Sequence, residues 1–294
     1  MPMLRLPADG LGLHVVASVS GGKDSTALIL ALREAEIAAR YVFADTGWEA
    51  PETYAYLDYL RSKLGIAIDV VGVEGGMVAK IRARAGFPGR MQRWCTQELK
   101  VQPLRAYHDA LIESTGTETV SALGVRAEES ESRAHLPEWS DESDGPKSWG
   151  GYVWRPLIAW SVADVLAIHN RHGVKVNPLY QRGHDRVGCY PCIYAGKDEI
   201  RLIPDERIAL IRALEIECEA TRAERNAVEP GRYKHAVASF FQTRHGVEPM
   251  HIDDVVTWAR TDRGGRQLPL LTPAPRGGCM RWGLCDLPSK EAEQ

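Results

Sequence analysis

A parallel, doubly wound α/β sheet with helices on both faces, followed by a helical C-terminal region, is the fold this sequence predicts. Three observations predict it. Short β-branched runs alternate with helical patterns from His14 to His172, the order that builds a parallel sheet through right-handed crossovers. The first run, His14 to Val19, is apolar without alternation, as in a strand buried on both faces. From Lys197 the pattern changes to charged amphipathic helices. The chain is therefore divided into an α/β unit, residues 1–200, and a helical region, residues 201–294, with a cysteine-containing tail.

The elements follow in order. After the first strand comes Ser20-Gly21-Gly22-Lys23-Asp24-Ser25, a polar turn, then an Ala- and Leu-rich helix from Thr26 to Ala35. Strand, glycine turn and helix N-terminus together suit phosphate. The glycines let backbone approach, the first helical N–H groups lack internal partners, and the helix dipole favours negative charge. Lys23 adds a cation, and Ser20 and Ser25 add hydroxyls. The turn is not a Walker A loop, which needs Ser or Thr directly after the Lys, where Asp24 stands; nor is it GxGxxG. A Ser-capped helix start without a ligand is the plain alternative.

Ala39 to Asp45 is a second strand, ending in Asp45-Thr46-Gly47-Trp48-Glu49. Pro51 and Glu52 then open a helix through Leu64. Ligands of such sheets sit past the carboxyl ends of the strands, so Asp45 and Thr46 share a rim with Ser20 to Ser25. Ile66 to Val73 is a third strand. Glu74 to Arg93 is Gly- and Arg-rich; Lys80, Arg82, Arg84, Arg90 and Arg93 face either a polyanion or solvent. Glu118 to Val125 is a fourth strand, running into Arg126 and Arg133, which suit a planar oxyanion or ordinary salt bridges. Leu136 to Gly151 reads as a loop that closes over the site. Tyr152 to Leu157 is a short strand, and Ser161 with Asp164 caps a helix from Val162 to His172. Helices are expected over Pro204 to Arg225, Arg232 to His245 and Ile252 to Arg260.

Composition sets limits. The formal charge is −3, so any nucleic-acid contact needs a local patch. No apolar run reaches the membrane-spanning length of about 18 residues, and the N-terminus has no signal-peptide core, so a soluble cytoplasmic protein is expected. The six cysteines argue for metal ligation or redox chemistry rather than a disulfide framework. Cys189 and Cys192 stand at CxxC spacing in Gly183 to Ala195, close enough to chelate one metal or cluster. Cys218 sits in a Glu-rich helix, as a packing residue would.

Five segments in order resemble one family. SGGKDS after a strand resembles the PP-loop of the ATP pyrophosphatase superfamily. VFADTGWEAPETY, the cysteine segment RWCTQELKVQPL, GVRAEESESR and WRPLIAWSVADVLAIHNRHGVKVNPLY resemble the branch of phosphoadenosine phosphosulfate (PAPS) reductases. RWCT followed by LK is nearer to the DNA-phosphorothioation and phage-type relatives. The resemblance implies an adenine nucleotide α-hydrolase-like, Rossmann-like fold. It also implies a nucleotide on Ser20, Gly21, Gly22, Lys23, Asp24 and Ser25, with Asp45, Thr46, Gly124, Arg126 and Arg133 around it. Lys23, Asp24, Lys100 and Arg126 would carry the chemistry, with Asp24 a ligand for Mg²⁺. Cys95 becomes a metal-ligand candidate beside Cys189 and Cys192, either as a three-cysteine 4Fe–4S site with an open iron or as a four-thiolate site closed by Cys285 or Cys279.

The implied reaction is cleavage of ATP between the α and β phosphates, adenylation of a DNA or RNA acceptor, and sulfur transfer. A donor such as a cysteine desulfurase would supply the sulfur; a homo-oligomer is expected, and no membrane partner. Two alternatives stand beside it. One is a thioredoxin-dependent PAPS or adenosine phosphosulfate (APS) reductase, although the ECG ending of PAPS reductases is absent and Cys95 is followed by Thr96 rather than a second cysteine. The other is a nucleotide-binding subunit of a larger assembly without turnover of its own.

Overall fold

The computed structural model describes residues 4–7, 10, 12–142, 150–241 and 249–261. Its first half runs β1 (His14–Val19), α1 (Lys23–Glu34), β2 (Ala39–Asp45), α2 (Pro51–Leu64), β3 (Asp69–Gly72) and α3 (Gly76–Arg84). A short α4 (Trp94–Thr96) then passes through a π-helical turn (Gln97–Val101) into α5 (Gln102–Thr115), followed by β4 (Thr119–Ala122). The rest is α6 (Glu131–Ala134), β5 (Trp139–Asp141), β6 (Tyr152–Trp154), α7 (Val162–Arg171), α8 (Lys197–Arg201), α9 (Asp205–Val228) and α10 (Ile252–Arg260). The strands lie in the order β3-β2-β1-β4-β6-β5. All neighbours are parallel except β5 and β6. The order reverses between β1 and β4, and a crevice opens there past their carboxyl ends.

α1 explains why the sheet is built around β1. Apart from Asp24, every residue from Lys23 to Leu32 is buried, so this helix has no solvent face until its last turn. It packs on β1 and against α7, and shares one core with Val15, Phe43, Val120, Trp154, Val165 and Ile168. A second core joins the two regions of the chain. Trp48, Met77, Ile81 and Leu99 meet Ile208, Ile211, Phe240 and Val255 there.

Three expectations differ from the structure. The segment Leu136 to Gly151 contributes an antiparallel edge strand, β5, before residues 143–149, which lie outside the described set. The third strand begins at Asp69 rather than Ile66. The described part of Arg232 to His245 is irregular, not helical. Its backbone finds partners on α9 instead of within itself. The Ala238 and Phe240 N–H groups donate to Glu219 and Glu215, and the His235 and Val237 carbonyls accept from Arg222. The expected Ser161–Asp164 capping box is present: Asp164 N–H donates to Ser161 Oγ at 3.2 Å, and Ser161 N–H donates to Asp164 Oδ2 at 2.9 Å. Among the described residues no helix is long and apolar enough to cross a membrane.

His108 on α5 is buried, with Nδ1 2.7 Å from Thr119 Oγ1 at the start of β4. Burial lowers its pKa from 6.5 to about 4. As pH falls, the unfolded chain takes up this proton first. The stability that the neutral ring confers is therefore complete above 6.5 and is lost progressively toward 4. Unfolding free energy measured from pH 7 to pH 5 will fall, and His108→Gln will remove about 2 kcal/mol of that fall. An identical pH slope in the variant would refute this assignment.

Candidate functional site

The turn after β1 is held from below and left open above. Gly21 adopts a left-handed φ of +73°, and a Cβ there would lie 2.9 Å from Thr53 Cγ2. Inside the turn, Ser20 N–H and Ser20 Oγ both donate to Ser25 Oγ at 3.2 Å, and Ser25 Oγ donates to the Gly22 carbonyl at 3.0 Å. Three residues of the later chain pin it. Asn177 Nδ2 donates to Gly21 O at 3.1 Å, Lys23 N–H donates to Tyr180 Oη at 3.1 Å, and His169 Nε2 lies 2.9 Å from Lys23 O. Burial lowers the pKa of His169. Among the described residues, the N–H groups of Gly21, Gly22 and Asp24 meet no protein acceptor. Donors of this kind at a helix N-terminus are the physical basis of an anion site.

Charge is arranged just as locally. Asp24 Oδ2 takes Lys23 Nζ at 2.9 Å, and Asp24 Oδ1 takes Arg126 Nε at 2.5 Å. Arg126 is buried and its Nη1 also reaches Glu128 at 3.0 Å. Gly124 lets this happen: a Cβ there would lie 2.7 Å from the Asp24 carbonyl oxygen. The loop after β4 thus presses directly on the first turn of α1.

Beside the turn is a cavity of about 220 Å³, lined by Ser20, Cys95, Lys100, Arg186, Cys189 and Cys192 among others. Its wall is a zipper between the loop after β2 and the CxxC segment. Glu49 and Cys189 form an antiparallel bridge, Tyr190 N–H donates to Trp48 O at 2.8 Å, and Trp48 Nε1 donates to Pro191 O at 3.1 Å. Buried Glu49 takes the Thr46 hydroxyl at 2.7 Å, and Thr46 Oγ1 lies 3.9 Å from Cys189 Sγ. Burial pushes the Cys189 and Cys95 thiols up, and Cys189 raises Cys95 further. Burial opposes the Lys100 ammonium, yet Cys189 and Glu49 outweigh it and raise its pKa.

Residues 14–195 match the family of the phosphoadenosine phosphosulfate reductase domain. The chain belongs to that family. It is 34% identical over 307 residues to an uncharacterised 37.8 kDa protein of Escherichia phage 186, covering 87% of this chain and 91% of that one. It is 27% identical over 188 residues to the adenosine 5′-phosphosulfate reductase of Allochromatium vinosum, covering 62% of this chain and 68% of that one. Among solved structures it is similar to the phosphoadenylyl-sulfate reductase of Candida auris, at 17% identity and a TM-score of 0.48, covering 63% and 85% of the two chains. The PAPS-reductase resemblance of the sequence and the α/β fold are thereby shown.

Within this family frame, the sequence-predicted residues separate. Ser20 to Ser25, Gly124 and Arg126 come together at the switch point. Lys100 stands with the thiols, in the same cavity as Ser20. Asp45 is engaged locally, its Oδ1 accepting from Gly47 N–H and Tyr54 Oη at 2.8 Å each. Thr46 is committed to Glu49. Arg133 is ion-paired with Glu129, and its side chain is 37% exposed, outside the lining of the cavity. Cys95, Cys189 and Cys192 share the cavity wall, while Cys279 and Cys285 lie outside the described residues. Among the described residues no group of three or more His, Cys, Asp or Glu is set to hold a metal ion. Cys218 is buried on α9 with its Sγ toward Ile81 O, as a packing residue. Glu49, His169, Asn177 and Tyr180 were not predicted as site residues; the only sequence signal was their place inside the DTGWE and NPLY stretches and the helix before the latter.

The close approach at Gly124 is testable. Gly124→Ala forces backbone against backbone, and the urea midpoint will fall by an amount equivalent to about 1–3 kcal/mol. An unchanged midpoint would show that the loop after β4 does not bear on α1 as described.

Proposed function

We propose that the chain is an ATP pyrophosphatase that adenylates an acceptor and supports transfer of sulfur to it. One observation carries the reading: Ser20 of the phosphate-binding turn and the thiols of Cys95, Cys189 and Cys192 line a single cavity. A nucleotide seated on the turn would have its reacting phosphate beside a sulfur-bearing site. The open N–H groups of Gly21, Gly22 and Asp24 would hold the β,γ-pyrophosphate, and Lys23 and Arg126 would balance its charge. The acceptor oxygen bonds to the α phosphorus, the bond from that phosphorus to the bridging oxygen breaks, and pyrophosphate leaves with the electron pair. The acceptor's proton passes to water. Sulfide from a donor then attacks the activated centre, and AMP departs with the former acceptor oxygen. The chain's share in this is positioning and charge stabilisation.

Two cofactors are implied, and they fit differently. Both Asp24 oxygens are already engaged by Lys23 and Arg126, so Mg²⁺ does not fit at Asp24 as arranged and no step runs through it. Three thiols around a cavity, rather than around a point, fit a group wide enough to span it. A 4Fe–4S cluster would be held either by Cys95, Cys189 and Cys192 alone, which leaves one iron without a protein ligand, or by these three with Cys285 or Cys279 closing the site. Held by the three cysteines alone, that group would supply an iron able to carry sulfide. The alternative reading as an APS or PAPS reductase is favoured by likeness to the Allochromatium enzyme. It is opposed by Thr96, which follows Cys95 where cluster-bearing APS reductases have a second cysteine.

Anaerobically prepared protein will release pyrophosphate from ATP when given candidate acceptors, and Lys23→Ala will slow this by about 100-fold or more. Sulfite from APS or PAPS without pyrophosphate from ATP would replace this reading with the reductase. For the thiols, iron per chain is the readout. Cys95→Ala and Cys189→Ala will lose iron and its visible absorbance, whereas Cys218→Ser will keep both. Iron retained in Cys95→Ala would remove this thiol from the ligand set.

A further inference from the structure

The five basic residues of the Glu74 to Arg93 stretch divide into two groups. Lys80 and Arg84 are both paired with Glu98, and Arg82 is paired with Glu217 at 2.6 Å. Arg90 and Arg93 have no carboxylate partner among the described residues. Both guanidinium groups lie over the ring of one aromatic residue, Tyr194, at 5.5 and 5.3 Å. Tyr194 is 39% exposed, although it follows directly on the CxxC segment.

Next to this ring is a second cavity, of about 430 Å³, with apolar walls that include Met91, Ile193, Phe240, Phe241 and Trp258. The volume is in the range of sites that accept a planar ring system, about 300–1,000 Å³. Its mouth is unusually apolar for a protein surface, since Met91 is 96% exposed and Trp258 is 42% exposed. Lys197 Nζ lies 5.1 Å from the Trp258 ring centroid. The two cavities share Ile193 and Ala195 as walls, so they adjoin. Arg93, Lys100 and Arg186 line the first, and Arg90 and Lys197 line the second. Glu199 is the one carboxylate in either lining among the described residues. A chain of net charge −3 has thus collected five cations and two exposed rings along one trough beside its thiols.

We infer that this trough binds a single-stranded nucleic acid, with one unpaired base in the 430 Å³ cavity against Trp258 and the flanking phosphates on Arg90, Arg93 and Arg186. The inference rests on the sulfur-transfer reading and supplies its acceptor class. Charge complementarity selects the occupant. An apolar segment of protein would fill the cavity but leave the two arginines over Tyr194 without anions. A polyanion with stacking faces answers both features. A duplex answers them less well, because a paired base must first be unstacked and flipped out before it can enter a side cavity. DNA and RNA share this chemistry and differ by the 2′-hydroxyl.

The test is fluorescence anisotropy of the full chain with labelled oligo-dT, oligo-U and a DNA duplex, each of about 12 nucleotides per strand, over a series of salt concentrations. At least one single strand will bind more tightly than the duplex, and the better of the two identifies DNA or RNA. Arg90→Ala and Arg93→Ala will each weaken binding about tenfold and reduce the salt slope by about 1. Trp258→Ala will weaken it about tenfold with the slope unchanged. Lys23→Ala will retain oligonucleotide affinity while losing ATP turnover, so a failed pyrophosphatase reading is distinguishable from a failed trough. Equal affinity for duplex and single strand, or unchanged affinity in Arg90→Ala and Trp258→Ala, would overturn the inference. So would a Trp258→Ala variant that only dissociates a dimer in sedimentation, which would make the surface an interface between copies. Resistance of Met91 to peroxide in the free monomeric chain would also overturn it, by showing that the mouth of the trough is already covered.

Discussion

The Asp24 carboxylate lies between the Lys23 ammonium and the Arg126 guanidinium, and the geometry of the switch point depends on that pairing. Arg126 is 1% exposed, and a guanidinium that deep cannot be left without an anion. Stranding a buried charge costs about 3–5 kcal/mol, of which exposed Glu128 offsets a part. The pairing therefore dictates backbone. To bring Arg126 onto Asp24, the loop after β4 must run against the first turn of α1, and only Gly124 allows the approach. Asp24, Gly124 and Arg126 are in this sense one feature contributed by two crossovers of the sheet.

A second constraint fixes the turn from the opposite side. His169 on α7 and Asn177 and Tyr180 in the loop after it each bind backbone of the turn. Their polar atoms are consumed in shaping the donors, while the N–H groups of Gly21, Gly22 and Asp24 stay open among the described residues. Preorganisation of this kind spares a ligand the ordering cost. The same logic holds at the thiols. Glu49 is occupied in holding Thr46 and Trp48, so that the loop after β2 can zip onto the CxxC segment.

The fold and the turn were legible because their signals are local. An apolar strand, two glycines and a helix start are contiguous, and α1 announces its burial by being apolar on nearly every side. The edge strand β5 was not legible, because three residues in a polar stretch carry no period to detect. The irregular segment before α10 was misread as a helix for a related reason. Its apolar residues have helical spacing, but Glu215, Glu219 and Arg222 on α9 satisfy its backbone, and that competition is invisible in the segment itself. Likewise Arg82 differs from Arg90 only through Glu217, which is 135 residues away in sequence. Pairing over such separations is decided by tertiary packing, so composition alone left the two groups of arginines indistinguishable.

Lys100 shows how the site's halves depend on each other. The family resemblance pointed to it as one of the residues that carry the chemistry, and the structure seats it against Cys189 and Glu49, in the cavity that Ser20 also lines. Burial and Glu49 both disfavour a Cys189 thiolate, and Lys100 is the principal group that favours it. An anion arriving at the turn would compete for the same ammonium, because one cation cannot fully neutralise two anions in a medium of low dielectric. Arg186 and Arg93 line the same cavity. A phosphate reaching this cavity would therefore meet three cations rather than Lys100 alone.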